Sequence, residues 1–251
     1  MRSFWERNPV SVSAIGDAPG TPEYFVTYDR MREQKESVRF SAWLHEYDRF
    51  AGRSVLDVGC GNGYVLAHYA RLGARVTGID ITRAGIDISR QRFELSGLRG
   101  DFVVGSAEDL PFPDATFDCV CSMGVLHHIP RTQRAIDEIH RVTRQGGRLI
   151  VMFYHRNSAR FRFAMRRVSA ATGKPVAQLV NEVDGAANPL GVAYTGEELR
   201  AMLSSFRQVE TFAGQLQGWH LLPRGGRWIP RFVLDALAPR LGWLLYARGY
   251  R

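Results

Sequence analysis

Val55-Leu56-Asp57-Val58-Gly59-Cys60-Gly61-Asn62-Gly63 reads as a buried strand running into a glycine-rich turn. Beyond the turn, Val65, Leu66, Tyr69 and Leu72 recur at helical spacing until Gly73 stops the pattern. A strand that ends in glycines and opens a helix lets a ligand approach the backbone and meet the helix N-terminus, because glycine has no Cβ in the way. Dinucleotide dehydrogenases use G-x-G-x-x-G at such a turn. Here the spacing is G-x-G-x-G, with Asp57 two positions before the first glycine. That difference favours another adenosine cofactor.

On the C-terminal side the same rhythm repeats. ARVTGID (74–80) is a second strand, 82–96 a second helix, DFVVG (101–105) a third strand and FDCVCSM (117–123) a fourth. Ala135, Ile139 and Val142 mark a helix face that Gly146-Gly147 break, and RLIVMFY (148–154) is a fifth strand. Repeated strand-helix units predict a parallel sheet covered by helices on both faces. On the N-terminal side, residues 32–50 place Val38, Trp43, Leu44 and Tyr47 near helical spacing, as one amphipathic lead-in helix. After Tyr154 the rhythm fails: residues 156–194 are basic and hold Gly173, Pro175, Gly185 and Pro189, which reads as a helical lid. Thr195 and Glu198 have capping-box spacing for a helix over 195–206. VETFAG (209–214) and WLLYARGY (243–250) read as strands, with 215–242 between them holding a helix, IPRFVLDALA.

A chain of 251 residues fits one α/β domain: a helical cap over 1–51, a core over 52–155, the lid over 156–194 and the remainder over 195–251. No stretch approaches the roughly 20 continuous apolar residues of a membrane span. The N-terminal MRSFWERNPV lacks an apolar signal region. Cys60, Cys119 and Cys121 show no metal-ligand or disulfide spacing, so a reducing cytoplasm is expected. The net charge of +8 lies entirely after residue 155, since residues 1–155 hold 19 basic and 19 acidic side chains. Such a field attracts nucleic acid, anionic lipid or an acidic substrate, and the sequence does not choose among them.

The next element is Asp80, at the end of the second strand, where a carboxylate can accept from both ribose hydroxyls of an adenosine. Ile81 beside it is positioned to press on the adenine ring of such a ligand. Gly105-Ser106-Ala107-Glu108-Asp109-Leu110-Pro111-Phe112 then leads through Phe117-Asp118 to Ser122-Met123-Gly124-Val125-Leu126-His127-His128-Ile129-Pro130. Over about 52–154 the chain resembles the seven-stranded, Rossmann-like class I S-adenosylmethionine-dependent methyltransferases, in particular the methyltransferase type 11 group that includes ubiquinone and menaquinone methyltransferases. The resemblance implies a mostly parallel sheet with an antiparallel last strand, 209–214 and 243–250 being strands six and seven. It implies that Asp57, Gly59, Cys60, Gly61 and Gly63 surround the methionine part of the cofactor and that Asp80 holds the ribose. Ile81, Ser106, Ala107 and Glu108 line the adenine, Ser122, Met123 and Gly124 pass beneath the sulfonium, and His128 is a further cofactor contact. Many relatives have Asp where this chain has Ser106, which leaves the adenine amino group to Glu108 or to a weaker contact.

Methyl transfer from a sulfonium is an in-line displacement that chiefly needs alignment, with a base required only where the acceptor has a proton to lose. His127, His128 and His155 are the candidate bases, and each reads equally as a packing or surface residue. Tyr24, Phe25, Tyr28, Tyr154 and Tyr194 are candidates for the acceptor pocket, with Asp184 in the lid. No Pro-Pro-aromatic motif follows strand four, which disfavours methylation of nucleic-acid bases. No acid stands at 121–130 or 150–160, which disfavours a catalytic metal. A small acceptor, lipid-like or anionic, is the expected partner, with peripheral membrane contact in keeping with the arginine- and tryptophan-rich tail. The alternatives are a methyltransferase acting on nucleic acid or protein through the basic half, or a cofactor-binding scaffold without catalysis.

Overall fold

The computed structural model describes residues 1–9 and 14–251. Five parallel strands, β1 (Ser54–Val58), β2 (Arg75–Asp80), β3 (Asp101–Val104), β4 (Phe117–Met123) and β5 (Thr143–His155), form one sheet. A two-residue β6 (Ala193–Tyr194) and two long strands, β7 (Arg207–Gly214) and β8 (Leu244–Tyr250), complete it in the order β3-β2-β1-β4-β5-β8-β7. β8 runs antiparallel to both of its neighbours. Among the described residues the count is eight rather than the seven expected, because β5 extends one residue past Tyr154 and β6 pairs with that end, inside the segment read as lid. β5 also begins earlier than its apolar run. Thr143 pairs with Phe117 and Arg148 with Cys119, so residues 144–147 bulge out around the two glycines instead of breaking a helix there.

Alternation along the strands sorts side chains to two cores. Val55, Cys119, Cys121, Ile150 and Met152 enter the core on one face, and Leu56, Val120, Leu149 and Val151 enter the other. The helices that cover these faces follow the strands: α4 (Tyr64–Arg71) after β1, α5 (Arg83–Leu95) after β2 and α6 (Thr132–Val142) before β5. Thr82 caps α5 by accepting from the Gly85 N–H at 3.1 Å. The capping box expected at Thr195 and Glu198 is formed and starts a helix at Gly196–Met202. The chain leaves β1 for β2 and β3 on one side, then crosses to β4 on the other. The carboxyl ends of β1 and β4 therefore part into a crevice, the place where open α/β sheets bind ligands.

Three outlying regions close over that crevice. Ahead of the sheet come α1 (Arg2–Arg7), α2 (Pro22–Lys35) and α3 (Val38–His45). The single lead-in helix expected over 32–50 is divided, because Ser37 accepts from the Phe40 N–H at 3.2 Å and starts a new helix. Glu46, at φ +50°, then ends it. Leu44 and Tyr47 are buried, but Val38 and Trp43 face solvent. α1 is pinned across the crevice by Glu6, whose carboxylate accepts from the Arg83 and Ala84 N–H groups at the start of α5, at 3.0 and 2.9 Å. α2 is clamped to α5 by Arg92, which pairs with Asp29 at 2.9 Å and lies 4.4 Å over the Phe25 ring. The second region, after β5, holds a π-helical turn (Arg160–Met165), α7 (Arg166–Thr172) and α8 (Val176–Asn181). The third, between β7 and β8, holds α10 (Gly218–Leu221) and α11 (Arg231–Leu241), with α9 being the capped helix before β7. No helix among the described residues is long and apolar enough to cross a membrane.

Candidate functional site

Two adjoining cavities open at the carboxyl ends of the strands, and the glycine-rich turn divides them. The smaller, of about 260 Å³, lies over β2 and β3. The larger, of about 750 Å³, lies between the turn, α2, the region after β5 and the insertion before β8. Gly59, Gly61, Asn62, Gly124, Val125 and Trp5 line both. The turn comes this close to the β4 end only because of glycine. Gly59 has φ +82°, and a Cβ there would stand 2.3 Å from the Val125 Cγ2.

The smaller cavity has one acidic edge. The Asp80 carboxylate accepts from the Thr82 N–H and hydroxyl at 2.9 and 2.7 Å through one oxygen, and from the Gly61 N–H at 3.1 Å through the other. These bonds fix the carboxylate at the rim. Ile81, Ser106, Ala107, Ile129 and Pro130 form the opposite wall. Glu108 lines it too, but its carboxylate is turned to Arg131, accepting from the backbone N–H and the guanidinium at 3.0 Å each. The Arg131 hydrogen bond is the main cause that holds the Glu108 carboxyl below its ordinary range. Glu108 thus stands at the cavity wall with its carboxylate already engaged by Arg131, which leaves only its remaining lone pairs for a ligand.

Asp57 stands where the larger cavity meets the turn, 3% exposed, and its Oδ1 has no hydrogen-bond partner. Its carboxyl is pushed up to about 7. Burial is the chief cause, the Cys121 thiol opposes it, and Asp80 adds to it. A buried acid in this state favours an incoming cation. Cys60, Met123, Tyr28 and Tyr154 also line this cavity. The Tyr154 hydroxyl donates to Asp184, which comes from the turn after α8. Asp184 lies 3.1 Å from His128 Nε2, and His128 Nδ1 lies 2.6 Å from the Leu190 carbonyl. His127, His128 and Asp184 bring three potential ligand atoms within 4.8 Å of one another.

The structure separates the residues proposed from sequence. His128 lines the smaller cavity, but His127 and His155 line neither. His127 is fully buried against the Tyr154 ring, centroids 4.0 Å apart, and burial drives its pKa well down. His155 is turned under the insertion, its Nδ1 2.9 Å from the Gly242 carbonyl, and burial lowers it too. β5 runs one residue further than expected, and the His155 N–H donates to the Trp243 carbonyl at 2.9 Å. Tyr24 lines the smaller cavity, whereas Phe25 packs under Arg92 and Tyr194 bonds Thr132 at 3.2 Å. Gly63 lies behind the turn against Ser89. Residues the sequence reading missed are Trp5, Asn62, Arg160, His220 and Trp243. Only Asn62 carried a signal, by lying inside the glycine turn.

The fold and the glycine-acid crevice are those of a Rossmann-like α/β domain with a ligand site at the carboxyl ends of its strands. Residues 56–151, less than half of the chain, match the family model described as a methyltransferase domain. The fatty-acid O-methyltransferase of Mycolicibacterium smegmatis is 43% identical over 98 residues, which are 38% of this chain and 35% of that protein. The ubiquinone biosynthesis O-methyltransferase of Pseudomonas paraeruginosa is 34% identical over 127 residues, 49% of this chain and 53% of that one. The match thus spans between about a third and a half of these relatives' own lengths. Among solved structures, a SAM-dependent methyltransferase from Aquifex aeolicus superposes with a TM-score of 0.54 at 16% identity, covering 88% of this chain and 96% of the other. That likeness shows the fold.

Proposed function

We propose that this protein transfers a methyl group from S-adenosylmethionine to a small, largely apolar acceptor, using one methyltransferase domain whose outlying helices close the site. The observation that carries this reading is the junction of the two cavities at Gly59, Gly61 and Gly124. A donor lying across that junction presents its reactive end to the larger cavity. The residues fit the group. Asp80 offers a fixed carboxylate to ribose hydroxyls, and Ile81 and Ala107 offer apolar walls to adenine. The unpartnered Asp57 oxygen suits the ammonium of the methionine part. Gly59, Cys60 and Gly61 supply backbone, and Met123 and Gly124 form the floor.

When bound, the cofactor supplies a methyl group activated by a positively charged sulfur. The part of the protein is alignment, worth on the order of 7–11 kcal/mol when reacting atoms are held in line. Trp5 from α1 and Tyr28 from α2 cover the larger cavity and exclude water. His128 Nδ1 is taken by the Leu190 carbonyl, while Nε2 lies 3.1 Å from the Asp184 carboxylate without forming a hydrogen bond. The role of His128 in this reading is to hold the 182–184 turn, with Tyr154, against the site.

An apolar acceptor is supported by Val65, Met123, Met152 and Leu244 in the larger cavity, and by the lipid-like substrate in the name of one relative. The insertion before β8 exposes Trp228 and Phe232, each 75% accessible, beside Arg227 and Arg231. That pairing suits peripheral contact with an anionic lipid surface. The three cysteines are buried and unpaired, in keeping with a cytoplasmic protein. The test is calorimetric titration with S-adenosylhomocysteine, followed by assay of its formation from the donor over a panel of medium-chain acceptors. Micromolar binding and turnover on that panel are expected. Absence of binding refutes the reading, and binding without turnover on any acceptor leaves a scaffold.

A further inference from the structure

Resting on the reading of the larger cavity as the acceptor site, we infer that the acceptor is an apolar chain with a carboxylate head, and that Arg160 with His220 seats that head. Arg160 opens the π-helical turn after β5 and lines the cavity. Its guanidinium lies between two indoles, 4.8 Å from the Trp243 centroid and 5.4 Å from that of Trp219. Among the described residues it forms no hydrogen bond and no ion pair. Arg32, on another wall of the same cavity, is different: Glu36 neutralises it at 2.7 Å. Burial depresses the Arg160 pKa, with Tyr154 and Asp184 only partly opposing. A guanidinium taken from water with Asp184 acting on it only through space, and no carboxylate paired to it, is costly to fold around, and an anionic ligand in contact with it reduces that cost.

The neighbouring groups are also donors without acceptors. His220 is 2% exposed and held down to about 4, mainly by burial and then by Arg160, so its ring is neutral. Its Nδ1 accepts from the Gln217 N–H at 3.2 Å, which places the ring proton on Nε2. The Gln217 carbonyl oxygen accepts from the Trp219 indole, leaving its amide NH2 to donate. His220 and Gln217 line the same cavity as Arg160. A planar guanidinium, an imidazole N–H and an amide match a carboxylate, which only accepts. An alcohol or an amine leaves the guanidinium uncompensated. Of the remaining lining, Tyr28, Met31, Val65, Met123, Met152 and Leu244 carry no charge and take the chain, whereas Arg32 and Glu36 pair with each other and Lys35, Asp57, Glu182 and Asp184 also line the cavity.

The experiment uses the full-length protein saturated with S-adenosylhomocysteine, with quenching of tryptophan fluorescence as readout, since Trp219 and Trp243 flank the site. Decanoate, 1-decanol and methyl decanoate are titrated in turn. Decanoate is expected to bind at least about tenfold tighter than the other two. In Arg160→Gln the three ligands should bind within about twofold of one another, while S-adenosylhomocysteine affinity stays at the wild-type value; Arg160→Lys should recover part of the preference. Equal binding of decanoate and decanol to the wild type overturns the inference, as does a preference that survives in Arg160→Gln. If that variant does not fold, the wild-type ratio decides alone. Failure of the wild type to bind S-adenosylhomocysteine refutes the functional reading instead, so the two failures are distinguishable.

Discussion

The smaller cavity is built almost entirely from strand ends and the turns that follow them, between Val58 and Pro130, with Trp5, Tyr24 and a few neighbours as its cover. The larger draws its walls from α1, α2, the glycine turn, β5, the region after it and the insertion before β8. One is a property of consecutive strand-turn-helix units, the other of segments brought together from the whole chain. The difference separates the proposed adenosine site, built from local strand-end geometry, from whatever the outlying segments are shaped to receive. It also separates the charges, because the balanced half builds the smaller cavity and the basic half contributes Arg160, His220 and Trp243 to the larger.

The sharpest way to break the comparison is at the partition. Gly59→Ala places a methyl 2.3 Å from the Val125 Cγ2 and 2.7 Å from its Cγ1, at a φ of +82° that costs on the order of 1–2 kcal/mol for a residue with a Cβ. Both cavities should lose their shape together, with cofactor binding and turnover abolished. Adding Val125→Ala removes the two closest atoms and should restore part of the binding. If Gly59→Ala binds S-adenosylhomocysteine normally, the turn does not form the wall described. The next effect is confined to one side. Asp80→Ala removes the proposed ribose acceptor and should weaken the cofactor by roughly 100-fold, at one to two charge-assisted hydrogen bonds of about 1.5–3 kcal/mol each. Unchanged calorimetric affinity in that variant would place the ribose elsewhere.

How far each cavity could be read in the sequence follows from the same contrast. Strand alternation, the G-x-G-x-G spacing and Asp80 are local signals, and they located β1 to β5 and most of the smaller cavity. Where local signals misled, a tertiary contact had intervened. Glu108 had the right position, but Arg131 from the turn before α6 took its carboxylate. The helix read over 32–50 had the right composition, yet a serine cap divided it. His155 stood next to an apparent strand end, until pairing with β6 drew the strand on. Arg160, His220 and Trp243 had no local signal at all. They meet only because the π-helical turn and α10 pack together, and nothing within ten residues of any of them announces the others.

Asp57 sharpens the comparison because folding and binding pull on it in opposite directions. Its carboxyl is raised from the ordinary value of 3.8 to about 7, so the native state holds that proton more tightly than the unfolded chain does. This proton-linked stability is fully present below about pH 4 and is lost progressively as pH rises to about 7, a loss of up to roughly 4 kcal/mol. The cofactor-free protein should therefore melt at a lower temperature at pH 8 than at pH 6. Asp57→Asn should flatten that dependence and raise the pH 8 melting temperature by several degrees, while weakening the cofactor by about tenfold. Equal melting of variant and wild type at pH 8 would mean the carboxylate is already compensated.

The smallest effect is expected at His155, and it discriminates between two roles that sequence alone leaves equal. A general base there would touch the acceptor, and its removal would cost about 10²-fold or more in turnover and erase the acidic limb of the pH profile. In the structure the ring is 7% exposed, lines neither cavity and spends Nδ1 on the Gly242 carbonyl at 2.9 Å, tying β5 to the start of β8. Burial lowers its pKa, so at neutral pH it is an uncharged donor to that carbonyl. His155→Gln keeps a donor of similar reach, whereas His155→Phe keeps the ring and loses the hydrogen bond. Turnover should stay within about twofold for Gln at every pH, and Phe should lower stability by about 1–2 kcal/mol through the orphaned carbonyl. A pH profile that changes in the Gln variant would return His155 to the reacting groups and require the strand end to open during turnover.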